Sequence, residues 1–350
     1  MNDRIEKYLT FNTKIGYLSD EAIKNLYNKG KQSSGWGKNA IVKINNTQIF
    51  IKKIPITKLE YEHQFDTSNL YDLPPYYNYG VGSAGINCFR ELAMHIKTTN
   101  WVINGEIENF PIMYHYRIIK NNEPYKMFEN RNKLNDYAKE WNNNNNIKKY
   151  MIEKGKAEHE IMIFLEYFPF TLYKWLKPNI IQATSYLFQI TKIINFLKKH
   201  NIIHFDAHDG NIVSDGNNIY LTDFGLVLDM DFNLSNQEKI FFRKNNDYDY
   251  SMAINNMYSP LFDQMQKRKK YIDNKYKFDE KMNESDFREI TYNNLGEIGA
   301  YFKFDEMYVR LLKKYWKLSE ISPVFLYNMR HNNKKDDVFP NDNVKKLLKK

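Results

Sequence analysis

The sequence predicts an α+β fold in two lobes, β-rich in its N-terminal part and mainly helical in its C-terminal part. Three observations carry that expectation. Strand-like runs rich in β-branched and aromatic residues fall mostly before residue 170. Helical apolar spacing dominates from about residue 248 onward. A chain of 350 residues, 42% hydrophobic and 16% aromatic, can bury one large core or two modest ones.

The elements follow in order. Residues 39–54, NAIVKINNTQIFIKKI, read as a hairpin around Asn45-Asn46, because asparagine tolerates positive φ in a tight turn. CFRELAMHIK, 88–97, has helical apolar spacing, and FPIMYHYRII, 110–119, reads as a strand. Residues 120–157 are dense in charge and include NNNNN at 142–146, so an inserted surface segment is expected there, partly disordered or loosely helical. IMIFLEYF, 161–168, is a buried strand, and 180–200 a long amphipathic helix. Short strands follow around 211–214 and 218–222. No internal repeat is visible. The expected division is an N-terminal extension at 1–29, a β-rich lobe at 30–165 and a helical lobe at 166–350.

Composition excludes several classes. The one cysteine, Cys88, rules out an internal disulfide framework and a cysteine zinc cluster, and fits a reducing compartment. The opening MNDRIEKYLTFNTK lacks the apolar core of a signal peptide. No apolar run approaches the roughly 18 residues that span a bilayer. A soluble, cytoplasmic monomer with no membrane partner is expected. The net charge of +9 accompanies abundant Lys, Asn, Ile and Tyr, all with AT-rich codons, and reads as a solvated surface. No basic stretch is interleaved with aromatics, so no specific nucleic-acid partner is expected. The tail VKKLLKK reads as a helix end carrying cations at its C-terminus.

The busiest stretch is HFDAHDGN, 204–211. His204, Asp206, His208 and Asp209 could be read as metal ligands, but all are local and no second histidine cluster exists to complete a closed site. A polar structural turn is the other plain reading. A second motif outweighs both. Asp223-Phe224-Gly225 lies 12 residues past Asn211, after the strand-like IYLT. Helix, H-x-D-x-x-x-x-N, hairpin and DFG then stand in the order of the protein-kinase signature set. The spacing has a chemical rationale. Phosphoryl transfer needs a carboxylate to orient the acceptor hydroxyl, here Asp206. It also needs an amide oxygen and a second carboxylate for Mg²⁺, here Asn211 and Asp223. His204 is expected to support the loop by packing and hydrogen bonding.

On these motifs the sequence resembles the protein-kinase-like superfamily over residues 30–260. The form H-x-D-x-H-x-G-N-I is similar to haspin-like kinases and to aminoglycoside and choline phosphotransferases. The block Leu73–Val102 together with GWGKN is similar to a branch of kinase-like proteins found in bacteria and large DNA viruses. The resemblance implies a bilobal kinase-like fold that binds ATP and Mg²⁺. It also implies a phosphate-covering loop, a lysine and a glutamate upstream.

Two glycine stretches compete for that loop. YGVGSAG at 79–85 matches G-x-G-x-x-G in its letters, with Gly80, Gly82 and Gly85, and Glu106 follows as a Rossmann reading would want. But DLPPYYNY precedes it, and Pro74-Pro75 does not make a buried parallel strand. A packed turn leading into the 88–97 helix is expected instead. GWGKNAIV supplies Gly35, Gly37, Ala40 in place of a third glycine, and Val42 over the adenine. It opens the predicted hairpin, as the kinase loop does.

In IFIKKI the motif order points to Lys52 as the ATP lysine, with Lys53 the alternative and Phe50 where a small residue is usual. Strand parity bears on the choice. A two-residue turn sets Val42 opposite Ile49, on the face of Lys53; a three-residue turn sets it opposite Phe50, on the face of Lys52. Glu91, among apolar neighbours, is the candidate partner, since a buried unpaired carboxylate is costly. Glu166-Tyr167-Phe168 fits the interlobe hinge, with backbone at Glu166 and Phe168 reading the adenine edge.

Three departures from protein kinases stand out. Phe205 replaces the arginine that receives an activation-loop phosphate, so no such control is expected. His208 stands where a lysine near the γ-phosphate is usual. No A-P-E follows DFG, and Asp249 in DYDYSMAI would begin a helix bracing the catalytic loop. The expected activity is transfer to serine or threonine of a protein substrate. A small-molecule kinase and a catalytically silent scaffold remain alternatives.

Overall fold

The computed structural model describes residues 3–33, 38–121, 125, 131–279 and 281–349. Its N-terminal region is built on an antiparallel sheet of β1 (Lys31–Ser33), β2 (Lys38–Ile44), β3 (Thr47–Ile56), β4 (Met113–Lys120) and β5 (His159–Glu166), in the order β1-β2-β3-β5-β4. The β2–β3 hairpin closes on Asn45 and Asn46, at φ 50° and 65°. Positive φ at both central residues gives the twist of a two-residue hairpin turn. The register follows: Ile44 faces Thr47, Val42 faces Ile49 and Ile41 faces Phe50.

That register decides which side chains share a face. Ile49 and Ile51 join Ala40 and Val42 in the main core, against α1 (Asp3–Gly16) and α2 (Asp20–Asn28). Phe50, Ile54 and Ile56 point the other way, onto α4 (Cys88–Ile103), where Phe89 and Leu92 complete a smaller core. Between β3 and α4 lies the short helix α3 (Lys58–Glu62), closed by a Thr57–Glu60 capping box. The N-terminal extension is therefore part of the β-rich region, with Phe11 of α1 packed on Tyr114 of β4 at 5.3 Å between ring centroids.

The expected surface insertion is folded. α5 (Arg131–Glu140) and α6 (Asn145–Gly155) form a helical pair, with Ile147, Tyr150 and Met151 of α6 buried and Trp141 of the connection buried beside them. The asparagine run is their connection. Asn142 and Asn143 take positive φ, and the Asn144 side chain accepts from the backbone of Asn146 and Ile147 to cap α6. The aromatic residues, rather than the charge density, set the outcome; residues 122–124 and 126–130 lie outside the described residues.

The C-terminal region is mainly helical, so the chain is α+β with a sheet-rich N-terminal region and a helical C-terminal region. β6 (Phe170–Thr171) and α7 (Leu172–Trp175) lead into α8 (Ile180–Lys199). Then come β7 (Ile202–Ile203), β8 (Ile212–Ser214), β9 (Ile219–Leu221) and β10 (Leu228–Asp229), paired as β6-β8-β9 and β7-β10. α9 (Asn236–Asn245) and α10 (Tyr248–Asn255) follow. The last helices are α11 (Ser259–Lys267), α12 (Lys269–Tyr276), α13 (Glu284–Asn293), α14 (Leu295–Tyr301), α15 (Glu306–Ser319), α16 (Ile321–His331) and α17 (Asn341–Leu348). α10 is central: Tyr186 of α8 donates to Ala253 O at 2.7 Å, and Ser251 donates to Leu318 O of α15 at 2.7 Å. No helix among the described residues is long and apolar enough to cross a membrane.

Candidate functional site

The loop between β7 and β8 is held from below by Asp249 of α10. Its buried carboxylate accepts from His204 N at 2.7 Å and Phe205 N at 2.9 Å. Phe205 sits at φ 62°, a costly conformation for a bulky residue, and the surroundings enforce it. Its ring is fully buried against Tyr79, Phe241 and Tyr248. His204 is also fully buried. Burial pushes its pKa down to about 4, so the ring is neutral near pH 7. Nδ1 then accepts from Asp206 N at 3.3 Å while Nε2–H donates to Thr222 O at 3.2 Å.

This scaffold fixes Asp206. Asn211 Nδ2 donates to Asp206 O and to its Oδ2, both at 2.9 Å. Burial pushes the Asp206 carboxyl up to about 6, with the His208 side chain acting the other way. Thr222 N donates to Asn211 O at 2.9 Å, which joins the loop to Asp223.

Asp223, at φ 64°, meets the sheet. Lys52 Nζ lies 2.8 Å from its Oδ1 and 2.6 Å from Glu91 Oε1 of α4. Burial alone would raise the Asp223 carboxyl; the ammonium of Lys52 outweighs it and holds the group at about 2. Glu91 is lowered in the same way, burial opposing and Lys52 prevailing. Lys52 itself is raised: two carboxylates overcome the cost of its burial. Phe224 is fully buried, its ring 4.8 Å from His95 of α4 and 5.5 Å from His204. His208 stands at the rim. Its Nδ1 accepts from Gly210 N at 3.0 Å, and its Nε2 is 3.7 Å from Asp206 Oδ2. Burial works to lower its pKa, and the Asp209 and Asp206 carboxylates raise it on balance.

Lys52, Glu91, Asp206, Asn211, Asp223 and His208 thus form one connected constellation. Lys53 is elsewhere, with its Nζ 2.7 Å from Glu160 and 3.9 Å over the Tyr27 ring. Val42 and Ala40, expected to cover the nucleotide, do not face Lys52. A Cβ on Gly30 would come within 2.8 Å of Val42 Cγ1 and 3.1 Å of Ala40 Cβ, which puts both on the α2 side of the sheet. The two-residue turn is the reason, because it pairs Ile41, not Val42, with Phe50 on the Lys52 face. Gly35 and Gly37 lie outside the described residues.

Glu166 is engaged within the protein. Its carboxylate pairs with Arg4 at 2.7 Å and accepts from Ile112 N at 3.2 Å, and its own N–H donates to Ile112 O at 2.9 Å. Phe168 stacks on Tyr220 at 4.0 Å. Arg4 also donates to Glu108 O and Phe110 O, so α1 clamps this connection. No sequence signal singled out Arg4. Tyr79–Gly85 is the expected turn leading to α4, preceded by a short 3-10 turn at Pro75–Asn78 rather than by a strand. Among the described residues no group of three or more His, Cys, Asp or Glu is disposed to hold a metal ion by itself. No known family model matches the chain, and neither does any curated protein.

Proposed function

We propose that the chain is a protein-kinase-like phosphotransferase that moves the γ-phosphoryl group of ATP to a hydroxyl, with serine or threonine of a protein as acceptor. One observation carries the reading. Lys52 bridges Glu91 and Asp223 at 2.6 and 2.8 Å, while Asp223 joins the Asp206–Asn211 loop through Thr222. Three segments far apart in sequence deliver the groups that the signature motifs name, and the sheet-then-helix order suits a bilobal kinase-like fold.

The donor set fits Mg²⁺. Asp223 stays ionised, and Asn211 commits its amide nitrogen to Asp206, leaving the amide oxygen as the atom for a hard cation. Two protein ligands suffice for a magnesium ion whose remaining ligands are phosphate oxygens and water. When bound, it would neutralise charge on the phosphates. Lys52, positioned by Glu91, would hold the phosphates from the sheet side. Asp206, mostly ionised near pH 7, would accept a hydrogen bond from the acceptor hydroxyl and orient it. Ile41 and Phe50 would supply the apolar wall over the base.

The test is transfer of radiolabel from ATP to general protein substrates by the wild type and by Asp206→Asn. Label above the Asp206→Asn background is expected; two proteins that cannot be told apart reject the reading. His208 keeps a second reading open. It stands beside Asp206, where small-molecule phosphotransferases share the histidine, so a metabolite panel including aminoglycosides and choline is run in parallel. Turnover of one of these without protein labelling favours it.

A further inference from the structure

The glycine-rich stretch Tyr79–Gly85 reads in the sequence as a turn before α4. It does lead to the Asn87 cap of α4, but it also lies against the candidate site. A Cβ on Gly80 would stand 2.4 Å from Asp206 Oδ1 and 3.4 Å from Phe205 O. A Cβ on Gly85 would stand 2.2 Å from Gly225 O. Gly80 does not need to be glycine for its backbone, since it is absent from the positive-φ residues, unlike Gly82 and Gly85. What demands glycine there is the carboxylate itself. That carboxylate has little room to yield, because Asn211 holds its other oxygen at 2.9 Å.

The turn is anchored on both sides of this contact. Tyr79 donates to Asn245 Oδ1 at 2.9 Å and packs on Phe205, while Ala84 N donates to the Tyr77 hydroxyl at 3.3 Å. Gly225 in turn sits close to the ion-pair cluster, where a Cβ would be 3.3 Å from Asp223 Oδ1 and 3.5 Å from Glu91 Oε2. A seam of glycines therefore runs from Asp206 through Gly85 and Gly225 to Glu91.

We infer that Tyr79–Gly85 is a strap over the acceptor carboxylate, and that Gly80 is a positioning residue for transfer: its bare backbone fixes where Asp206 points. The inference rests on the phosphotransferase reading.

The experiment compares wild type, Gly80→Ala, Asp206→Ala and the double variant. ATP affinity is followed by Mg·ATP titration, kcat by transfer to a protein substrate, and stability by urea midpoint. Gly80→Ala is expected to lower kcat about 100-fold with ATP affinity within about twofold, the scale for a roughly 1 Å displacement of a positioned group. Its midpoint loss should vanish in the Asp206→Ala background, where the clashing oxygen is gone. A Gly80→Ala kcat within about threefold of wild type, or an equal midpoint loss in both backgrounds, overturns the inference. Should Gly80→Ala fail to fold, the double variant must fold, and its failure also overturns it. A wild type without turnover on any acceptor sinks the phosphotransferase reading and the inference with it. A wild type that turns over beside an unaffected Gly80→Ala sinks the inference alone.

Discussion

The buried ion pair between Arg90 and Glu238 gives the sharpest test of how the site is held together. Arg90 neighbours Glu91 on α4, and Glu238 opens α9, beyond Asp223. Their side chains are 2% and 0% exposed, with Nη2 and Oε1 2.7 Å apart. Arg90 Nε also donates to Thr67 O at 2.8 Å, whereas Nη1 has no hydrogen-bond partner. Burial pushes the Arg90 guanidinium pKa down, the mark of a charge held at a cost. The perturbation is Glu238→Gln. Glutamine can keep the capping bond that Glu238 Oε2 now accepts from Ser235 N at 2.9 Å, so the change removes mainly the charge. Leaving the guanidinium buried and unpaired costs about 3–5 kcal/mol. Against a total stability of about 5–15 kcal/mol, that is a large share. Urea unfolding of wild type, Glu238→Gln, Arg90→Met and the double variant measures it. Each single change should cost at least about 3 kcal/mol, and the double should fall short of their sum by about 2–3 kcal/mol. Single changes below about 1 kcal/mol, or strict additivity, would refute the argument that this pair ties α4 down.

Other outcomes follow from the same geometry. Lys52→Met should lower phosphoryl transfer at least about 100-fold, while Lys53→Met should leave it within about threefold, as read by initial rates on one protein substrate. His204 is neutral and buried, with its pKa depressed from 6.5 to about 4, so the unfolded chain binds the extra proton between those values. Stability from this group is complete above pH 6.5 and lost as pH falls towards 4, by roughly 3 kcal/mol in all. Asp249 and Asp206, raised to about 7 and about 6, act in the opposite sense, so the signal is the difference between wild type and His204→Asn in urea midpoints at pH 7.5 and pH 5. Arg4→Ala should destabilise the protein by about 2–3 kcal/mol, because it removes the charged donor from Glu166 and from two backbone carbonyls; thermal unfolding checks it.

Sequence motifs located the polar constellation better than they located its apolar surroundings. Lys52, Glu91, Asp206, Asn211 and Asp223, which the fold brings together, were singled out because the motifs ask for a particular functional group at a particular spacing. Val42 was misplaced, because an aliphatic wall residue is defined only by the face it occupies. Here the parity rule and the motif order pulled apart. The two-residue turn does put Val42 on the Lys53 face, as parity demands, and Lys52 is still the lysine of the site. Ile41, one position earlier, is the aliphatic residue that shares the Lys52 face, beside Asn39 opposite Lys52 itself. Arg4 left no trace, because a clamp across 162 residues has no local pattern. The asparagine run misled through composition: asparagine is as much a turn and cap former as a mark of disorder, and Asn142 to Asn144 serve as a turn and a cap.

The distribution of charge explains why so many ties lie outside the candidate site. Glu91 and Asp223 share the ammonium of Lys52, Asp206 lies near Asp223, and burial raises the cost of repulsion among the three carboxylates. Side chains just outside this cluster add ties of their own. Arg90 pairs with Glu238, and Lys97 reaches Asp229 and Asp231, each at 2.7 Å. Both ties run from α4 to the segment after Asp223. α4 is thus fixed at two points, and the turn before it packs on Gly225, on the side where Glu91 meets Lys52. Phe205 fits that logic. At position 205 a buried aromatic ring locks the backbone of the loop between β7 and β8 into the core made by Tyr79, Phe241 and Tyr248.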